Sequence, residues 1–183
     1  AVGRPLNTIR FTSVQENPGH RDWLGIILSP QSSNCVFEYT AFSYAESALN
    51  CTQNTSPFIS NSTFSSNYFY AVNCEAGSTA VIRDCEIRYS SFSGLLLKND
   101  SVPTVIGNLI EWCAYGIVCY SPSVIEGNTV RDAGSSTFAV GIDVRQTGNP
   151  ITNVEIKNNT VEGFTTVTGA STTVAIGIRV DTG

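Results

Sequence analysis

Charge is scarce in this 183-residue chain, where Asp, Glu, Lys and Arg make up only 14% of the residues. Lys and Arg total 10 against 15 Asp and Glu, for a formal net charge of −5. That balance argues against general binding to nucleic acid, which takes a basic surface. Histidine occurs once, at His20, and none of the 6 cysteines forms a Cys-x-x-Cys pair. The ligand spacing of a zinc site is therefore missing, and no metal or cofactor is expected. No apolar run is long enough to span a bilayer. No leader peptide is visible either, and a start at Ala1 is compatible with a mature terminus left by cleavage.

What fills the chain instead is Ser, Thr, Asn and Gly, the residues of turns and solvated strand faces. The length suffices for one core, so residues 1–183 are read as a single domain. Asn-x-Ser/Thr acceptors for N-glycosylation stand at Asn50, Asn54, Asn61, Asn99 and Asn158. The composition leans toward a secreted or cell-surface protein.

A repeat runs through almost the whole chain. Its strands read Gly25-Ile26-Ile27-Leu28, Ala48-Leu49-Asn50-Cys51, Ala71-Val72-Asn73-Cys74, Gly94-Leu95-Leu96-Leu97, Gly116-Ile117-Val118-Cys119, Gly141-Ile142-Asp143-Val144 and Gly177-Ile178-Arg179-Val180. From Ile26 to Leu49, Val72, Leu95, Ile117, Ile142 and Ile178 the steps are 23, 23, 23, 22, 25 and 36 residues. A near-fixed period of this size signals a solenoid. Ahead of each strand comes an apolar pair five residues apart: Phe37/Phe42, Ile59/Phe64, Ile82/Ile87, Val105/Ile110, Ile125/Val130 and Ile156/Val161. Between the members lie Asn61, Asp84, Gly107-Asn108, Gly127-Asn128 and Asn158-Asn159, residues that suit a sharp left-handed bend. Strands this short, so bent, coil on themselves at about 4.8 Å per turn. The sequence thus predicts an all-β, right-handed parallel β-helix of about seven turns. A leucine-rich repeat has a similar period, but its Leu-x-x-Leu-x-Leu spacing is absent.

These repeats, with ISNSTF (59–64), IEGNTV (125–130), IKNNTV (156–161) and the Gly-Ile-x-Val/Cys strands, resemble those of the pectate-lyase-like superfamily. The opening segment looks like the first turn of many secreted bacterial and archaeal β-helix proteins, with His20-Arg21 inserted into Pro-Gly-Asp-Trp and Leu24 in place of a second Gly. The resemblance implies the fold. It leaves activity open, since lyases, hydrolases, epimerases, adhesins and structural proteins share that fold.

Candidate site residues follow from the columns. Asp143 and Arg179 are expected in one outward column, Arg145 and Asp181 in another. They would form either the acidic and basic set of a polysaccharide-cleaving site or two cross-strand salt bridges on a solvated face. Cys51 and Cys74 share an inward column on adjacent turns, close enough for a disulfide, or simply part of a buried ladder continued by Leu97 and Cys119. Aromatics crowd the short turns: Phe69, Phe92 and Tyr115 in an approximate column, with Trp112 beside them. They offer surfaces for sugar stacking or for packing between molecules. Three longer turns, residues 14–23, 131–140 and 162–175, are expected to leave the coil on one side, either as binding loops or as lids.

The leading functional expectation is a non-catalytic surface β-helix. Strands near both termini suggest a segment of a longer protein, or a unit assembling end to end or laterally into a filament, tube or surface layer. Its partners would be other copies or other surface proteins. The alternative is a carbohydrate-active lyase or hydrolase, or a polysaccharide-binding module.

Overall fold

The computed structural model describes residues 1–30, 32–98, 100–131, 138–146, 153–163 and 174–181. Among them are 20 strands, β1 to β20 in chain order. The first sheet comprises β1 (Ile9–Phe11), β4 (Thr40–Ser43), β7 (Thr63–Ser65), β10 (Glu86–Arg88), β13 (Leu109–Glu111), β16 (Thr129–Arg131) and β19 (Thr160–Glu162). The second comprises β2 (Ile26–Leu28), β5 (Ser47–Cys51), β8 (Tyr70–Cys74), β11 (Ser93–Leu97), β14 (Tyr115–Cys119), β17 (Phe138–Arg145) and β20 (Val174–Asp181). The third comprises β3 (Val36–Glu38), β6 (Phe58–Ser60), β9 (Val81–Arg83), β12 (Thr104–Ile106), β15 (Ser123–Glu126) and β18 (Val154–Lys157). Each strand pairs in parallel with the strand three places later, so the chain winds as a three-sided β-helix.

The repeat steps translate directly into register. Ile26, Leu49, Val72, Leu95, Ile117, Ile142 and Ile178 form one continuous column. Phe11, Phe42, Phe64, Ile87, Ile110, Val130 and Val161 form a second. Phe37, Ile59, Ile82, Val105, Ile125 and Ile156 form the third. These columns face one another and make the core, where most of the middle members are fully buried. Phe11, Phe42 and Phe64 stack along the axis, with centroids 5.2 and 4.8 Å apart.

The expected seven turns need one correction. Complete three-strand circuits run from β3–β5 to β18–β20; β1 and β2 precede them without a third-sheet strand. In its place Val2 makes only an isolated bridge to Glu38, because the chain turns back at once between Arg4 and Asn7.

The bends are built as the composition implied. Between the third and first sheets a left-handed residue recurs at Tyr39, Asn61, Asp84, Gly107, Gly127 and Asn158, with φ between 47° and 65°. The residue after it points inward. Asn108, Asn128 and Asn159 there form a ladder: Asn128 and Asn159 each accept from the backbone N–H and the Nδ2 of the Asn one turn earlier, all at 2.9 Å, and Asn108 accepts from the Cys85 N–H at 3.0 Å. These buried side chains satisfy backbone groups that the bend removes from the sheets.

Candidate functional site

The outer face of the second sheet carries a groove lined by aromatic side chains. Tyr70, Ser93 and Tyr115 align in one column. Asn50, Asn73, Leu96, Val118, Asp143 and Arg179 align in the next. Glu75, Lys98, Tyr120 and Arg145 directly follow the buried column of Cys74, Leu97, Cys119 and Val144. A cavity of about 350 Å³ opens over these columns, walled by Tyr70, Phe92, Tyr115 and Tyr120, floored by Leu96 and Val118, and edged by Lys98 and Arg145. Ser93 also lines it, and its buried Oγ has no hydrogen-bond partner. Asn73, in register with Leu96 but outside the lining of the groove, also has a buried Oδ1 without a partner. Buried polar atoms normally find partners, so Ser93 Oγ has an unused hydrogen bond beneath the groove that an ordered water would satisfy.

Asp143 lies opposite Arg179, and Arg145 opposite Asp181, in the expected register. The contacts differ from two separate pairs on a solvated face. Asp143 is fully buried and receives both arginines. Arg145 donates Nε to its Oδ2 at 2.6 Å, while Arg179 donates Nε to Oδ1 at 2.7 Å and Nη2 to Oδ2 at 2.5 Å. Arg145 reaches Asp143 because residues two apart share a strand face. Both carboxylate oxygens are thus committed to guanidinium groups, an arrangement suited to holding arginines rather than relaying protons. Arg145 in turn lies 5.1 Å from the Tyr115 centroid and 5.9 Å from that of Tyr120, and donates Nη1 to the Tyr120 hydroxyl at 3.0 Å.

The aromatic column also shifts by one. Phe69 and Phe92 are neighbours, 6.5 Å apart, but Tyr115 stands in register with Ser93 and Tyr70. The cause is the 22-residue step between Leu95 and Ile117, one shorter than those before it. Phe92 and Tyr115 still touch, with centroids 6.1 Å apart.

On the first sheet the structure reveals a cluster that the sequence reading passed over. Ser43, Ser65, Arg88, Glu111, Arg131 and Glu162 share an outward column. Glu111 is 2% exposed; Arg88 binds it at 2.7 Å and Arg131 binds its other oxygen. Each of these residues follows the inward apolar residue of its strand, and that alternation of sign would have exposed the ladder.

Cys51 and Cys74 are in register, fully buried and unbridged. Their Cβ bonds run parallel on adjacent strands, which holds the Cβ atoms near the strand spacing rather than the shorter ~3.8 Å of a disulfide. A hydrogen bond to Cys74, with burial, pushes the Cys51 thiol well above its usual range. Of the glycan acceptors, Asn54, Asn61 and Asn158 are exposed at left-handed turn positions. Asn50 is half-buried within β5, and Asn99 lies outside the described residues. Most of the turns at 131–140 and 162–175 also lies outside them. In the opening turn, Asp22 accepts from Ser13 Oγ at 2.5 Å and from the Gly19 N–H at 3.0 Å, which lowers its carboxyl from the ordinary value. Trp23 donates Nε1 to the Ser43 carbonyl at 2.8 Å.

A family model described as a right-handed β-helix region matches residues 47–177. That stretch begins at β5 and ends within β20, five steps of the coil. No curated protein and no solved structure matches the chain.

Proposed function

We propose, for a chain that belongs to the right-handed β-helix region family, a non-catalytic role in binding polysaccharide along the outer face of the second sheet. The observation that carries this is the groove itself: the aromatic walls of Tyr70, Phe92, Tyr115 and Tyr120 beside an apolar floor of Leu96 and Val118, with the polar ends of Lys98 and Arg145 at its edge. An aromatic face is electron-rich and accepts the C–H face of a sugar ring, while hydroxyls need hydrogen-bond partners. The non-catalytic part is supported by Asp143, whose carboxylate both arginines occupy. The low charge, the Ser/Thr/Asn content and the exposed acceptors Asn54, Asn61 and Asn158 support a secreted or surface location.

The test is affinity electrophoresis against acidic and neutral polysaccharides, with Tyr115→Ala/Tyr120→Ala as the variant. Losing two stacking rings should weaken binding by about tenfold or more. Retardation by none of the polysaccharides sinks the reading, and turnover lost on Asp143→Ala replaces it with an enzyme. Assembly is the second reading. Leu24 and Ile27, which line a shallow groove with Asn50, are 70% and 65% exposed, an apolar patch suited to lateral packing. A solution mass that stays monomeric up to millimolar concentration would exclude it.

A further inference from the structure

A second group of residues, on the other flank of the corner between the first and second sheets, has the makings of a separate site. Tyr89 and Trp112 occupy the bends that follow β10 and β13, and both hold left-handed backbone, φ 56° and 52°. Bulky side chains rarely adopt that conformation, whereas Gly or Asn takes it readily. The two rings are nonetheless 49% and 37% exposed, and they stack with centroids 4.8 Å apart and planes within 10°. The left-handed bend is the coil's own, since Tyr44 and Ser66 hold it on the preceding turns at φ 63° and 56°; what sets Tyr89 and Trp112 apart is that they place a pair of stacked, exposed rings there.

Beside Trp112 lies a groove of about 480 Å³ bordered by Arg88, Glu111, Arg131, Glu162 and Gly163. The Arg88 guanidinium sits 5.5 Å from the Trp112 ring centroid. Buried Glu111 holds that arginine, just as buried Asp143 holds Arg145 against Tyr115. The charges are nearly balanced: Glu86, Glu111 and Glu162 lie along Arg88 and Arg131. That leaves no surplus of positive charge to draw an anionic ligand.

We propose that this groove is a second saccharide site, specific for a neutral pyranose. The sugar ring lies on the Trp112 indole, and its hydroxyls meet Arg131 and Glu162. The ligand class is shared with the preceding reading, but the residues are different. A chain with one site on each flank of the corner holds two polysaccharide strands at once and cross-links them.

The experiment is titration calorimetry with neutral hexaoses of glucose, mannose, galactose and xylose on the whole chain, using wild type, Tyr115→Ala/Tyr120→Ala, Trp112→Asn and Glu162→Gln. Wild type should bind two hexaoses, and the tyrosine double variant and Trp112→Asn one each. Trp112→Asn should melt no lower than wild type, since Asn accepts the bend, which separates a binding role from a structural one. Glu162→Gln, changed at an exposed position, should weaken the second site by about threefold or more and leave melting unchanged. A tyrosine double variant that binds nothing overturns the second site. So does Trp112→Asn that retains two ligands, or one that loses binding only by melting far lower. Loss of all binding in Trp112→Asn, with the tyrosine variant unaffected, overturns the preceding reading and keeps this one. A wild type that binds none of the hexaoses overturns the neutral site alone, because acidic polysaccharides still test the first groove.

Discussion

Alkali should unfold this protein through its buried thiols. Burial pushes Cys85 and Cys113 up to about 12, and it also raises Cys119. Cys51 moves the same way, through its hydrogen bond with Cys74 and then through burial. In the unfolded chain a thiol titrates near about 8.5. The folded state therefore holds these protons more tightly. The stability this represents is complete below the unfolded value and drains away as pH climbs from there toward the folded one. Between pH 7 and 9.5 each of Cys85 and Cys113 should remove about 1.4 kcal/mol, or about 3 kcal/mol together. That is a large fraction of the roughly 5–15 kcal/mol typical of a domain. Cys51 and Cys119 add to the loss. The assay is urea unfolding under a reductant at half-unit pH steps. Near pH 9.5, Cys85→Ala/Cys113→Ala should flatten the slope of stability against pH by about 2.5 kcal/mol per unit. A wild type of constant stability from pH 7 to 9.5 would refute the reasoning, as would a variant whose slope matches it.

Asn128→Ala removes a carboxamide that accepts from Asn108 N and Nδ2 and donates to the Val105 carbonyl and to Asn159. The buried groups left behind should cost about 2–4 kcal/mol in chemical denaturation; a loss under 1 kcal/mol would mean that water replaces the rung. Gly94→Ala would put a Cβ 2.7 Å from the Gly116 carbonyl oxygen and 2.8 Å from Ile110 Cγ2. It should destabilise by about 1–3 kcal/mol, while Gly127→Asn, at an exposed left-handed bend with φ 63°, should change melting little. Equal melting points for these two glycine variants would show that the close approach at Gly94 is not real.

The core was legible because its information is one-dimensional. A residue such as Leu95 pairs with Val72 and Ile117 simply because the steps are near-equal, so spacing alone yields register. The bends were legible for the same reason: Asn61, Asp84 and Gly107 each mark the left-handed corner. Outward side chains carry less of this signal. Arg145 was placed in the right column, yet its guanidinium turns along its own strand to Asp143, a choice of rotamer that register does not decide. The one-residue slip at Tyr115 shows the other limit, since a step of 22 rather than 23 moves a ring into a new column. Arg88, Glu111 and Arg131 form no local motif; their signal is an alternation of sign after the inward apolar residue, which shows only when the strands are stacked in register.

The two proposed grooves share a device that makes a last prediction specific. In each, a buried carboxylate grips an arginine, and the arginine borders an aromatic ring: Asp143, Arg145 and Tyr115 on one face, Glu111, Arg88 and Trp112 on the other. Burying such carboxylates adds little net stability, since apolar replacements of similar volume often fold as well. What the carboxylates supply is position. A guanidinium fixed before the ligand arrives loses less freedom on binding than one that is free to rotate. Asp143→Asn and Glu111→Gln keep shape and remove the charge that fixes the arginines. Asp143→Asn should weaken saccharide binding at the Tyr115 groove by about tenfold, roughly 1.4 kcal/mol, and leave the Trp112 groove unchanged. Glu111→Gln should do the converse. Calorimetry on each, in the background where the other groove has been removed, separates the two. If both substitutions weaken both grooves equally, the carboxylates act through the stability of the whole coil. If neither weakens either groove, the arginines need no anchoring, and the polysaccharide must be held by the rings alone.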